Sequence, residues 1–254
     1  MAASNPVVAF DRVTVRFDRG PQFDSDVLHD VSFRLEHGET KVLLGAAGSG
    51  KSVLLKTALG LIAPDEGRVS LFGQDLTGLS EDRMFPLRLK VGMVFQEGAL
   101  FDSLTVAENV GYIFQEERAL PPEEESRRVE EALRFVELEG AGDKMPAELS
   151  GGMRRRVAIA RAFVGAPPLM LYDSPTAGLD PVTAHRIMML IVKLRDTKGV
   201  SGLLVTHRIQ DAHLLAATGH STSFMVLREG EVVFVGDERE LFAARDSYVR
   251  KFIE

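Results

Sequence analysis

The run Gly45-Ala46-Ala47-Gly48-Ser49-Gly50-Lys51-Ser52 spaces glycines, a lysine and a hydroxyl as G-x-x-x-x-G-K-S. It follows the apolar run Val42-Leu43-Leu44 and precedes Val53-Leu54-Leu55, the strand, loop and helix context that a phosphate-binding loop needs. Gly45, Gly48 and Gly50 let the backbone turn with its N–H groups pointing inward. The concavity, with Ser49 in it, and the N-terminus of the next helix can then hold the β- and γ-phosphates of a nucleotide. Lys51 adds a positive charge. The Ser52 hydroxyl suits Mg²⁺, a cation that prefers oxygen ligands and keeps waters and phosphate oxygens around it. The bland alternative is a glycine turn that merely links a strand to a helix, and Lys51-Ser52 directly after Gly50 argues against it.

A second anion-binding pattern lies at Leu149-Ser150-Gly151-Gly152-Met153, immediately before the helical run 154–162. A serine and two glycines at a helix start expose N–H groups to an anion. With one phosphate loop already present, a second γ-phosphate-binding element suggests a nucleotide held between two subunits. The arginines 154, 155 and 156 that follow read as internal or subunit contacts, with a nucleic-acid patch as the weaker alternative.

These groups need a scaffold. Residues 7–17 alternate and are β-branched, which predicts a strand, and 18–26, with Gly20 and Pro21, a loop. A second strand at 27–36 and a turn at His37-Gly38-Glu39 lead into the strand before the phosphate loop, an opening unlike a plain βαβ unit. Residues 52–61 have helical spacing, ended by Pro64-Asp65-Glu66-Gly67. Strands are predicted at 68–72 and at 91–95, the latter ending at Gln96. Residues 97–163 are helical in composition, and Pro121-Pro122 opens a Glu-rich helix over 123–138 whose acidic start suits the positive end of the helix dipole. A buried strand at 168–173, a helix at 181–197, a strand at 203–207 and a hairpin over 223–236 turning at Glu229-Gly230 follow. The tail from 237 reads as a short helix and an amphipathic end.

Composition narrows the classes. The 254 residues can bury a substantial core as one large α/β domain or two small ones. No apolar run approaches the ~18 residues of a membrane helix. The start, Met1-Ala2-Ala3-Ser4-Asn5-Pro6, lacks the features of a secretory signal, which predicts a cytoplasmic chain. With 0 cysteines, disulfides and thiolate metal sites are excluded. The net charge of −7 argues against nucleic acid as the main ligand.

Taken together, the two glycine motifs resemble the nucleotide-binding subunit of ABC transporters, and the similarity covers essentially the whole chain. The resemblance implies an α/β fold: a P-loop, RecA-like core at about 1–95 and 164–240 with an N-terminal antiparallel β element, an inserted α-helical subdomain at about 96–163, and a tail at 241–254. It puts Gln96 at the Q-loop, residues 169–173 at the Walker B strand, Ala177-Gly178-Leu179-Asp180 at the D-loop, His207 at the switch histidine, and Phe17 where an aromatic stacks on adenine. From the residues alone, Phe17 reads as core, Gln96 as a polar strand end and His207 as one of six histidines. The resemblance also implies ATP and Mg²⁺, with Ser52, Gln96 and Asp173 as metal ligands. It implies a homodimer in which Lys51, Ser52, Gln96 and Asp173 of one chain face Ser150 and Gly152 of the other, with Gly151 and Asp180 also among the nucleotide-binding residues.

One departure matters most. After the Walker B aspartate the family carries a glutamate that polarises the attacking water, whereas this chain has Asp173-Ser174-Pro175. Serine is no general base at neutral pH, so binding is expected to survive while hydrolysis slows. Arg208 stands where an aspartate is common. Residues 95–110 and 246–252 are similar to the ATPases of MCE-associated, Mla-type phospholipid transporters. That implies a membrane permease partner docking near residues 98–102, MCE-domain and accessory subunits, and a place on the inner face of the inner membrane. The alternatives are an ATPase for a polar-solute importer, a low-turnover regulatory subunit, and a soluble clamp on DNA or ribosomes. Such clamps usually carry two nucleotide domains or a long coiled coil, and this chain has neither.

Overall fold

The alternating residues near the N-terminus form β1 (Val8–Asp18), which pairs antiparallel with β2 (Asp24–Leu35). The computed structural model describes residues 5–18, 24–117, 120–217 and 220–253. The second strand thus begins at Asp24 rather than at 27, because the backbone ladder continues through polar residues to Asp18 opposite Asp24. The rest of the expected loop, 19–23, lies outside the described residues.

The chain continues through β3 (Thr40–Gly45), α1 (Lys51–Ala58), β4 (Glu66–Leu71), β5 (Gln74–Asp75), α2 (Glu81–Arg88) and β6 (Val91–Val94). Three helices follow, α3 (Val106–Glu117), α4 (Pro122–Phe135) and α5 (Gly151–Phe163). Then come β7 (Leu169–Asp173), α6 (Pro181–Lys198), β8 (Ser201–Thr206), α7 (Ile209–Ala216), β9 (Thr222–Arg228), β10 (Glu231–Gly236), α8 (Glu238–Ala243) and α9 (Ser247–Arg250). Sequence reading missed α2, which has Pro86 inside it and no clear apolar face, and α7, a short helix after a strand.

Helix ends follow local chemistry. Pro122 and Glu123 to Glu125 start α4, and Asp180 caps α6 through Val182 and Thr183 N–H, with Gly199 in the left-handed conformation at its end. The β9–β10 turn falls at Glu229-Gly230 as read from sequence, both with positive φ.

Two sheets result, in the orders β2-β1-β4-β5 and β10-β9-β3-β8-β7-β6. In the larger one β9, β3, β8, β7 and β6 run parallel and β10 antiparallel. Strands β3 and β8 are buried along their whole length, as expected when both faces of a parallel sheet are covered. Alternate residues serve opposite sides. Val42, Leu44, Met170, Tyr172 and Leu204 pack under the helices α3 to α6. Leu43, Leu171, Leu203 and Val205 pack with α1 and the N-terminal sheet. This is an α/β core with an antiparallel β element and an inserted helical region between β6 and β7.

Candidate functional site

Gly45 ends β3 in tight quarters: a Cβ there would lie 2.6 Å from Ser49 Oγ and 2.7 Å from the Leu227 carbonyl. Gly50, with φ of +100°, brings the backbone against β2, where a Cβ would meet the Val27 carbonyl at 2.5 Å. Between them the loop curls around its own lysine. Lys51 Nζ donates to the carbonyls of Gly45 (2.9 Å) and Ala46 (2.6 Å) and to Ser49 Oγ (3.3 Å). Only 9% of Lys51 is exposed. Burial pulls its pKa below the ordinary lysine value, and the negative charge of Asp173 partly opposes that pull. The loop therefore concentrates positive charge beside N–H groups, with Ser52 exposed at the start of α1.

The loop is braced from the far end of the chain. Gly230 N–H donates to the Ser49 carbonyl (3.2 Å). Ala46 N–H donates to Tyr248 Oη (3.1 Å), which donates in turn to the Leu227 carbonyl (3.2 Å). Sequence reading did not single out Tyr248, since its tail lacks a chemical motif.

Parallel pairing carries other predicted residues to the same sheet edge. Leu44 pairs with Thr206, Asp173 with Val205 and Val94 with Tyr172, so Gln96, Asp173 and His207 all emerge at the carboxyl ends of their strands beside the loop. Gln96 and His207 are exposed and Asp173 is half-buried. Ser52, Gln96 and Asp173 offer only oxygen donors, which fits Mg²⁺. Among the described residues no group of three or more His, Asp or Glu could hold a metal alone, so a cation here would need phosphate and water oxygens.

Ser174 has a φ of 48°, an uncommon conformation for a non-glycine residue. Its N–H donates to the Val205 carbonyl (2.9 Å) and its Oγ lies 3.4 Å from Asp173 Oδ1. A residue missed in the sequence, Asp211, is 2% exposed and ties the two neighbouring loops. Its Oδ2 accepts from Thr176 Oγ1 (2.6 Å) and Thr206 Oγ1 (2.8 Å). The unusual Arg208 points its Nε at the other oxygen, 3.8 Å away.

Ser150 caps α5 by accepting from Met153 N–H at 3.3 Å. Together with Gly151 and Gly152 it lines a cleft of about 1020 Å³ that also takes in Gly178, Asp180 and Thr183. Lys51, Ser52, Gln96, Asp173 and His207 do not line that cleft. Within one chain the Ser150 start of α5 and the Lys51 loop therefore do not share this cleft. Asp180 already uses Oδ1 to cap α6, and hydrogen bonding from the Thr183 side chain, with that from the Thr183 and Val182 N–H groups, holds its carboxyl below the usual range. The three arginines after Gly152 make internal contacts: Arg154 with the Leu149 carbonyl, Arg155 with those of Phe95 and Ala177, and Arg156 with that of Val136.

Phe17 sits near the end of β1, opposite Ser25 of β2, and is 36% exposed. A ring left that open is available for stacking, unlike the fully buried Val13 and Val15 before it. In the segment 98–102, the carbonyls of Gly98 and Ala99 accept from Arg161 (2.8 Å each). Buried Asn109 accepts from Phe101 N–H (2.8 Å) and donates to the carbonyls of Phe101 and Leu104. Neither role was legible in the sequence, because the partners are main-chain atoms.

The ABC transporter family model matches residues 28–177. The chain is 35% identical over 251 residues to the methionine import ATP-binding protein MetN of Bifidobacterium longum, which covers 98% of this chain and 61% of that protein. It is 34% identical over 244 residues to MlaF of Escherichia coli K12, the ATP-binding protein of an intermembrane phospholipid transport system, covering 96% of this chain and 88% of MlaF. Its fold matches the dimeric post-hydrolysis structure of the ATP-binding cassette MJ0796 bound to ADP and Pi, with a TM-score of 0.82 and 34% identity over 91% of this chain and 98% of that one. The phosphate loop, the strands that end beside it, the inserted helices and these likenesses lead to one conclusion: the chain belongs to the ABC transporter family, as an ATP-binding cassette.

Proposed function

We propose that this chain is the ATP-binding subunit of a phospholipid transporter, working as a homodimer that drives a membrane permease. The observation that carries the dimer is the separation, within one chain, of the Lys51 loop from the Ser150–Gly152 cleft. In this reading ATP joins the loop of one copy to the Ser150, Gly151 and Gly152 start of the other. The closed pair exists because ATP binds it better than the open one. The dimeric, nucleotide-bound relative supports that arrangement.

Lys51 and the loop N–H groups bind the phosphates, Phe17 stacks on adenine, and Ser52, Gln96 and Asp173 hold Mg²⁺, which neutralises charge on the transferred phosphoryl group. His207 contacts the γ-phosphate, and Asp180 keeps the turn at the subunit boundary in shape. The core comprises about 1–95 and 164–240, with the helical insertion at about 96–163 carrying the permease contact through 98–102 and the tail at 241–254. Likeness to MlaF, the ATP-binding protein of an intermembrane phospholipid transport system, supports phospholipid as cargo; MCE-domain partners and a place at the inner face of the inner membrane belong to the same reading.

Likeness to MetN supports a second reading, an importer of a polar solute. Affinity purification of the tagged chain from detergent-solubilised membranes, with mass spectrometry of proteins and lipids, separates the two. A permease recovered with bound phospholipid is the expected result. A solute-uptake permease without lipid would favour the second reading, and no membrane protein at all would sink both.

The adenine contact has its own test. Phe17→Ala is expected to weaken ATP and ADP binding alike by about 1 to 2 kcal/mol in calorimetry, the scale of base stacking. Equal affinity would leave Phe17 as a surface residue of the β element.

A further inference from the structure

Arg155 has no place in the scheme above, yet it sits between three of its parts. It lies in α5, five residues after Ser150, and is only 7% exposed. Nη1 donates to the Phe95 carbonyl (3.1 Å), immediately before Gln96, and Nη2 to the Ala177 carbonyl (3.2 Å), in the turn that leads to Asp180. Nε is buried with no hydrogen-bond partner. No carboxylate pairs with the guanidinium among the described residues. Burial pulls its pKa down, and the more distant charge of Glu97 partly opposes this. A buried charge with one orphaned donor is costly where only packing is needed. A planar fork reaches the two carbonyls from separate nitrogens, whereas a lysine would have to meet both from a single Nζ.

We propose that Arg155 is a positioning residue that locks the Gln96 loop and the 177–180 turn to the helix carrying Ser150, so that the metal-side loop and the subunit-facing turn move as one body. Arg161, on the same helix, holds Gly98 and Ala99 but does not reach the 177–180 turn. The proposal rests on the dimer reading for its consequence, while the linkage itself is a property of the single chain.

The test is Arg155→Lys in the full chain, with Arg161→Lys beside it, read first by hydrogen exchange without nucleotide. Arg155→Lys is expected to speed exchange about tenfold or more at 96–99 and 177–179 together, with the β3, β7 and β8 amides unchanged and Mg-ATP affinity within about twofold. Arg161→Lys should affect only the first segment. In sedimentation with Mg-ATP, dimerisation of Arg155→Lys should weaken about tenfold. Faster exchange in one segment alone, in neither, or throughout the chain with a fallen Tm would overturn the linkage. A Lys51→Ala chain that still binds ATP would instead overturn the nucleotide reading and leave the exchange result standing.

Discussion

Lys51→Ala loses at least about a hundredfold in Mg-ATP affinity by calorimetry, roughly 3 kcal/mol, the scale of a charge-assisted hydrogen bond removed from a buried site. The geometry accounts for the size of the effect. The ammonium is enclosed by Gly45, Ala46 and Ser49 and lies within electrostatic reach of Asp173, so little water can replace it. Alanine leaves two loop carbonyls and any phosphate oxygen without that donor. The close approaches of Gly45 to Leu227 and of Gly50 to Val27 do not involve the ammonium and remain in the variant. Retained affinity would mean that the loop N–H groups alone hold the nucleotide, or that the nucleotide binds elsewhere.

Ser174→Glu raises steady-state ATP hydrolysis about a hundredfold or more over the chain as it stands, within the range of general-base assistance and equivalent to about 3 kcal/mol of barrier. The Ser174 backbone is anchored by its N–H to Val205, and its hydroxyl is turned toward Asp173. A serine so placed can orient water but cannot accept its proton at neutral pH. The longer carboxylate enters at the same positive φ, which glutamate tolerates about as poorly as serine, so the substitution changes chemistry more than fold. Phosphoryl transfer leans heavily on positioning and charge neutralisation, so the unmodified chain keeps a slow rate above a Lys51→Ala blank. A rate unchanged by Ser174→Glu would shift attention to His207 and Gln96 as the groups that hold the water.

The two results are read together. A chain that binds ATP through Lys51 yet turns over slowly until Ser174 becomes glutamate is a clamp that closes readily and reopens seldom. Such a subunit would dwell in the ATP-joined dimer, which makes dimerisation, rather than turnover, the sensitive readout for Arg155.

What the sequence determined by itself is local. The phosphate loop was legible because glycines, Lys51 and Ser52 act through their own backbone over eight consecutive residues. The start of α5 was legible for the same reason, as were the β9–β10 turn and the apolar strands around it. Phe17, Gln96 and His207 were named only through a family resemblance, since each is a single residue whose neighbours in sequence do not explain it. Tertiary structure decided which of these meet. Parallel register places β3 between β8 and β9 with β7 beyond β8, and so carries Gln96, Asp173 and His207 to the edge where the loop opens. The same packing turns Ser150–Gly152 to another cleft. The roles of Asn109, Arg161 and Tyr248 escaped the sequence, and Arg155 was legible only as one of three arginines making internal or subunit contacts. Their partners are largely main-chain groups of segments distant in the chain, and a backbone carbonyl or N–H is the same at nearly every residue, so no residue type or spacing could announce where those bonds would form.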